Sequence, residues 1–166
     1  MYKRFFTTQR KFDNKVIRQL GIQKPSLTQK ATALLTEIGE FSNEEGSVKY
    51  WKKRKKQNLQ AALFEYIDMW KFAVSMANDV GITANDVKRA KVIHYPTMHD
   101  QLMALSYLVT MVAQYPGKKH ENMVAVFGLL KGVQAHCSFT DKKIYDAWFL
   151  KHEENVKRLK EQVIAA

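Results

Sequence analysis

The sequence has a single cysteine, Cys137, among 166 residues, which excludes an intrachain disulfide and a cysteine-based zinc site. Prolines number three and glycines seven, so chain breaks are few. β-branched clusters are short, Val92 and Ile93 being typical, and argue little for strands. Acids are scarce: 16 Asp and Glu stand against 27 Lys and Arg, leaving a formal charge of +11. Such an excess favours an anionic partner, whether nucleic acid, a membrane surface or a phosphorylated small molecule. No apolar run reaches the length of a membrane span. Residues 1–9 hold no apolar stretch long enough for a secretory signal, and a cytoplasmic setting is expected. There is no internal repeat and no biased tract beyond one basic run, Lys52 to Lys56.

What is present is an ordinary globular composition, 46% hydrophobic and 26% charged, of a length that suggests one domain spanning residues 1–166. Between the breaks at Gly21 to Pro25, Gly46, Gly81, Pro96 and Pro116 to Gly117 the apolar residues recur with helical period. The pattern predicts helices at about 5–20, 27–45, 58–80, 97–115, 120–136 and 141–163, with a short helical turn near 84–91. Ser26 with Gln29, Thr83 with Asp86 and Thr97 with Asp100 have capping-box spacing, and Thr140 with Asp141 can open the last helix. The expected fold is an all-α bundle of about six helices. Trp70, Trp148, Tyr107 and the methionines read as core, and the five histidines have no tight ligand spacing.

The most informative segment is residues 59–77, apolar nearly all round when wound as a helix, yet carrying Glu65 and Asp68 in its middle. Ionised carboxylates there are costly unless a cation or strong donors offset them. The preceding helix has a matching stripe, Glu37, Glu40 and Glu44, beside Leu34, Ile38 and Phe41. One reading is a solvated acidic stripe, with Glu65 and Asp68 paired to nearby Lys or Arg. The other takes Glu37, Glu40, Glu65 and Asp68 together as oxygen ligands for a hard divalent cation, Mg²⁺ or Mn²⁺.

Glu37-Ile38-Gly39-Glu40 followed by Glu65-Tyr66-Ile67-Asp68 resembles the E-x-x-E … E-x-x-D pattern of the all-α NTP pyrophosphatase superfamily. Within it the context is similar to the dimeric all-α dUTPases and the related phage dCTPase-dUTPases. Three stretches carry this likeness: Gln9 to Asp13, Glu40 to Glu44 followed by Val48 to Trp51, and Ala147 to Arg158, which is similar to A-Y-x-x-K-x-x-x-N-x-x-R. Phe64, Lys71 and Leu159 depart from it, standing where the family usually has Glu, His and Gln.

The resemblance implies hydrolysis of dUTP to dUMP and pyrophosphate, with dUDP or dCTP as further substrates, and a homodimer. Four charges on a triphosphate call for metal ions as well as bases. Glu40, or else Glu37, is the expected acceptor of the attacking water's proton. Lys151, Asn155 and Arg158 share one face of the last helix and could grip phosphates. Tyr145, Phe149, Val156, Leu159 and Val163 form the face expected to pack on the bundle. By resemblance, Gln9, Asn43 and Trp51 are candidates for the base. The basic run could steer the substrate, bind nucleic acid or be a solvated loop. Two alternatives stand beside a dUTPase: a sister specificity for dCTP or another NTP, and a basic helical nucleic-acid-binding protein without catalysis.

Overall fold

The computed structural model describes residues 1–51 and 58–165, so the basic run from Lys52 to Lys56 lies outside the described residues. The order is α1 (Tyr2–Leu20), α2 (Leu27–Glu45), α3 (Leu59–Val80), α4 (Ala84–Arg89), α5 (Met98–Gln114), a single 3₁₀ turn, α6 (Lys119–His136) and α7 (Asp141–Ala165). The fold is all-α, and no strand occurs among the described residues. None of the described helices is long and apolar enough to cross a membrane.

The helix ends follow from local chemistry. Ser26 and Gln29 bond reciprocally across the first turn of α2, and Thr83 and Asp86 do the same for α4, satisfying amides that the helix itself cannot. Thr97 Oγ1 accepts from the Asp100 amide, and Thr140 Oγ1 from the Lys143 amide. Asn58 supplies the cap of α3. Gly21, Gly46 and Gly81 end α1, α2 and α3 in the left-handed conformation.

The central helix is α3, which packs against α1, α2, α6 and α7. It runs antiparallel to α2. The Asn58 amide bonds Glu44, the acids of mid-α3 face Glu37, and Lys30 reaches Asp79 at the far end. An aromatic cluster ties the outer helices to it. Phe5 stacks on Trp148 at 4.0 Å, Trp70 lies parallel to Tyr2 at 5.6 Å, and Trp148 Nε1 donates to Thr8 Oγ1. Arg4 donates to the Tyr145 hydroxyl and lies over the Phe149 ring. Ile144, Ala147, Trp148 and Leu159 of α7 are buried, whereas Val163, expected on the packing face, is exposed because the helix has run past its neighbours.

Two core assignments need correction. Tyr107 is 63% exposed and Met103 71% exposed. They stand one turn apart on the outer side of α5, where helical spacing is present but no described element covers it. Trp70 and Trp148 are buried as expected.

The segment between α4 and α5 crosses α6 at close range. Fully buried Gln101 holds it: Nε2 donates to the Ile93 and Leu129 carbonyls, and Oε1 accepts from the Tyr95 amide. This crossing requires glycine in α6, since a Cβ on Gly132 would lie 2.1 Å from the Ile93 oxygen and 2.2 Å from Gln101 Nε2. Gly132→Ala is therefore expected to destabilise the fold by about 1–3 kcal/mol despite alanine's better helix propensity. Urea unfolding would measure it; an unchanged or higher midpoint would contradict this packing.

Candidate active site

The acids of α3 lie where its otherwise apolar surface meets α2. Carboxylate oxygens of Glu37, Glu65 and Asp68 lie within 4.8 Å of one another, and all three residues are half-buried. Like charges this close raise each other's proton affinity. Burial first, then Asp68, Glu40 and Glu65, push the Glu37 carboxyl up to about 7, with Lys151 opposing. Burial raises Glu65 as well; Lys151 opposes that, and the neighbouring acids add to it.

One cation enters from α7. Lys151 Nζ lies 2.5 Å from Asp68 Oδ2, both side chains being largely buried. Burial alone would lower the Lys151 pKa, but the bond to Asp68 and the charges of Glu65 and Glu154 outweigh it and raise the group. One ammonium thus faces three carboxylates. The donor set is all oxygen and anionic in excess, which fits a hard divalent cation.

Glu40 stands outside the trio. It is exposed and lines a shallow depression with Asn43, Glu44 and Glu65 at the outer edge of the acids. Its charge still contributes to the rise at Glu37.

A cavity of about 400 Å³, within the range of small-molecule sites, opens beside Asp68. Phe12 and Phe72 offer rings; Gln9, Asp13, Lys71, Ser75 and Asn155 offer polar atoms. Gln9 is 7% exposed. Its Nε2 donates to Asp13 Oδ1 at 2.7 Å, a carboxylate that can only accept, so the amide orientation follows from the bond. Asp13 is itself held by the Ser75 hydroxyl. Gln9 Oε1 is buried with no partner among the described residues. Such an atom is costly unless a ligand supplies the missing donor. A larger depression of about 720 Å³ lies between the starts of α2 and α6 and contains none of the clustered acids.

The remaining candidates scatter. Asn155 lines the cavity. Arg158, one turn further on, is exposed and paired with Glu154 at 2.5 Å rather than with the acids. Asn43 is exposed at the end of α2, where Lys49 donates to its carbonyl. Trp51 is 63% exposed and makes an edge contact with Tyr50. In the sequence Lys71 stood only as a departure from the family pattern, with no site role; it is buried and lines the cavity. Its signal was a lysine in the middle of the most apolar helix. His94 and His136 stack at 4.2 Å although 42 positions apart, a pairing that spacing does not reveal. Burial pushes the Cys137 thiol up to about 12, away from the thiolate form that a nucleophilic cysteine needs.

The Glu37 shift gives a signed expectation. With a folded pKa of about 7 against an ordinary 4.5, the folded chain holds the proton more tightly than the unfolded chain. That contribution to stability is complete below about pH 4.5 and is lost as pH rises through about 7. A bound divalent cation would favour the ionised form and offset the loss. The metal-free melting temperature is thus expected to fall from about pH 5 to pH 7, and Mg²⁺ to raise it more at pH 7.5 than at pH 5.5. Differential scanning fluorimetry would test this; equal Mg²⁺ effects at both pH values would contradict it.

The all-α fold agrees with an independent comparison. The family model described as dUTPase matches residues 1–162, nearly the whole chain. No curated protein matches the sequence. The chain belongs to the dUTPase family.

Proposed function

We propose that this chain is a dUTP diphosphatase, hydrolysing dUTP to dUMP and pyrophosphate. The observation that carries the reading is the juxtaposition of the acid trio with a cavity holding an unpartnered Gln9 carbonyl, within a dUTPase-family chain. Glu37, Glu65 and Asp68 would hold Mg²⁺ or Mn²⁺, with Glu40 at the edge. The cation would supply positive charge for the phosphate oxygens and lower the pKa of water bound to it.

The protein's own groups do the rest. The Gln9 oxygen, fixed by Asp13, is the acceptor for a base N–H, and Phe12 and Phe72 provide apolar surface for the ring. An imide N–H of uracil satisfies that acceptor, and so does a cytosine amino group; Gln9 alone therefore does not separate dUTP from dCTP. Lys151 counters charge at Asp68 and would turn to the phosphates once that charge is met otherwise. Asn155 faces the cavity from the same helix, and Arg158 would join only after leaving Glu154. Glu40 accepts the proton of the attacking water: it makes no hydrogen bond or ion pair with the described residues and lies at the open side of the trio, where water has access. Asn43 lines the outer depression with Glu40 and Glu65, and Trp51 stands as a candidate for the base by the family resemblance.

We also propose a homodimer, as the family resemblance implies, in a cytoplasmic setting. The exposed Met103 and Tyr107 side chains on α5 support an apolar contact of that kind.

The test is pyrophosphate release from a panel of dNTPs and NTPs with Mg²⁺ and with EDTA. Turnover of dUTP that requires Mg²⁺ is expected; turnover confined to another nucleotide would replace the specificity, and none at all would overturn the reading. Glu40→Gln should lower kcat by about 10²- to 10⁴-fold with Mn²⁺ affinity retained. Glu37→Gln, Glu65→Gln and Asp68→Asn should weaken Mn²⁺ binding as well. Wild-type turnover in Glu40→Gln would remove it as the base.

A further inference from the structure

Lys71 is a buried cation without a counter-ion. It is 4% exposed, lies on α3 one turn beyond Asp68 and lines the cavity between the acid trio and Gln9. It makes no hydrogen bond or ion pair with the described residues; its ammonium lies 5.7 Å from the centre of the Trp148 ring, near the outer limit for a cation above an aromatic face. The acids whose fields reach it are Asp68, Glu154 and Asp13, with Lys151 acting against them. Each acid is already engaged: Asp68 by Lys151, Glu154 by Arg158, and Asp13 by Gln9 and Ser75. Burial, with Lys151, draws the ammonium down to about 8, the mark of a charge the fold does not compensate.

A structural role alone does not account for such a residue. An apolar side chain of similar length would fill the same space without desolvating a charge. Nor does its stem snorkel to bulk solvent, as lysines on apolar surfaces do, because the residue as a whole is buried. What the position lacks is a negative charge delivered into the cavity.

We propose that Lys71 binds the α-phosphate of the nucleotide. The inference rests on the functional reading above and adds a contact to it. A nucleotide with its base against Gln9 and its outer phosphates toward Glu37, Glu65 and Asp68 spans the cavity wall that carries Lys71. The α-phosphate is the anion next to the sugar, and it remains on the monophosphate after hydrolysis. Lys71 therefore holds substrate and product alike through a charge-assisted hydrogen bond. It is a binding residue for the retained phosphoryl group and sets the preference for a nucleotide over a nucleoside.

The experiment compares binding of dUMP and deoxyuridine by isothermal titration calorimetry in EDTA, for the wild type and for Lys71→Met. Without metal the phosphate must find its charge on the protein. The wild type is expected to bind dUMP about tenfold or more tighter than deoxyuridine. In Lys71→Met that ratio should fall to about one, with deoxyuridine affinity unchanged within about twofold and a melting temperature equal to or above the wild type's. Lys71→Gln should lose the ratio too, and it carries the test if the methionine variant does not fold. A ratio that survives both substitutions, or equal weakening of both ligands, would overturn the assignment. A wild type that binds neither ligand would instead overturn the functional reading, so the two failures are told apart.

Discussion

Three carboxylates share a space that supplies them with a single ammonium, and the placement of α2, α3 and α7 answers that constraint. On α3 the acids interrupt a largely buried and apolar middle stretch, so they are tolerable only where another helix brings compensation. From α2 comes a third acid rather than a base, which deepens the imbalance. From α7 comes Lys151, which meets Asp68, while burial and the neighbouring acids hold Glu37 and Glu65 above the usual carboxylate range. A chain with 27 basic residues could have neutralised the cluster and does not. The unneutralised charge is what makes the location suited to a divalent cation and the phosphates that follow it.

The rest of the fold holds that arrangement in place. Caps at Ser26 and Asn58 and the Lys30–Asp79 pair keep α2 and α3 in antiparallel register, so that Glu37 stands opposite Glu65 and Asp68. The Phe5–Trp148 stack docks the first half of α7 on α1, and Lys151 follows Trp148 by nearly one turn, which carries it to Asp68. Further along α7, Asn155 lines the cavity and Leu159 is buried, while Arg158 is exposed and pairs with Glu154. The same docking closes the cavity, since α1 supplies Gln9 and Asp13 while α3 supplies Lys71, Phe72 and Ser75.

The helices were legible because their signals are local: a capping side chain three residues before its partner, a glycine at the end, a steady period between. The range read for α2 coincides with the observed helix, and the others differ by a few residues at their ends. The acids were legible as a conflict, charge inside an apolar segment. Which of them converge was not, because Glu37 and Glu40 are equivalent in spacing and differ only in how α2 is rotated against α3. Tyr107 and Met103 have core spacing, and their exposure depends on what lies beyond α5. Gln101 and Gly132 act together through a segment crossing that no short-range pattern encodes. Lys71 read as an ordinary family departure; its meaning came from its burial and from the prior engagement of every acid around it.

The most direct measurement is anomalous diffraction from crystals grown with Mn²⁺ and dUMP. The account predicts a peak within coordination distance of carboxylate oxygens from Glu37, Glu65 and Asp68, with Lys151 displaced from Asp68. A peak elsewhere, or no peak with the Lys151–Asp68 pair intact, would contradict the claim that these acids form a metal centre.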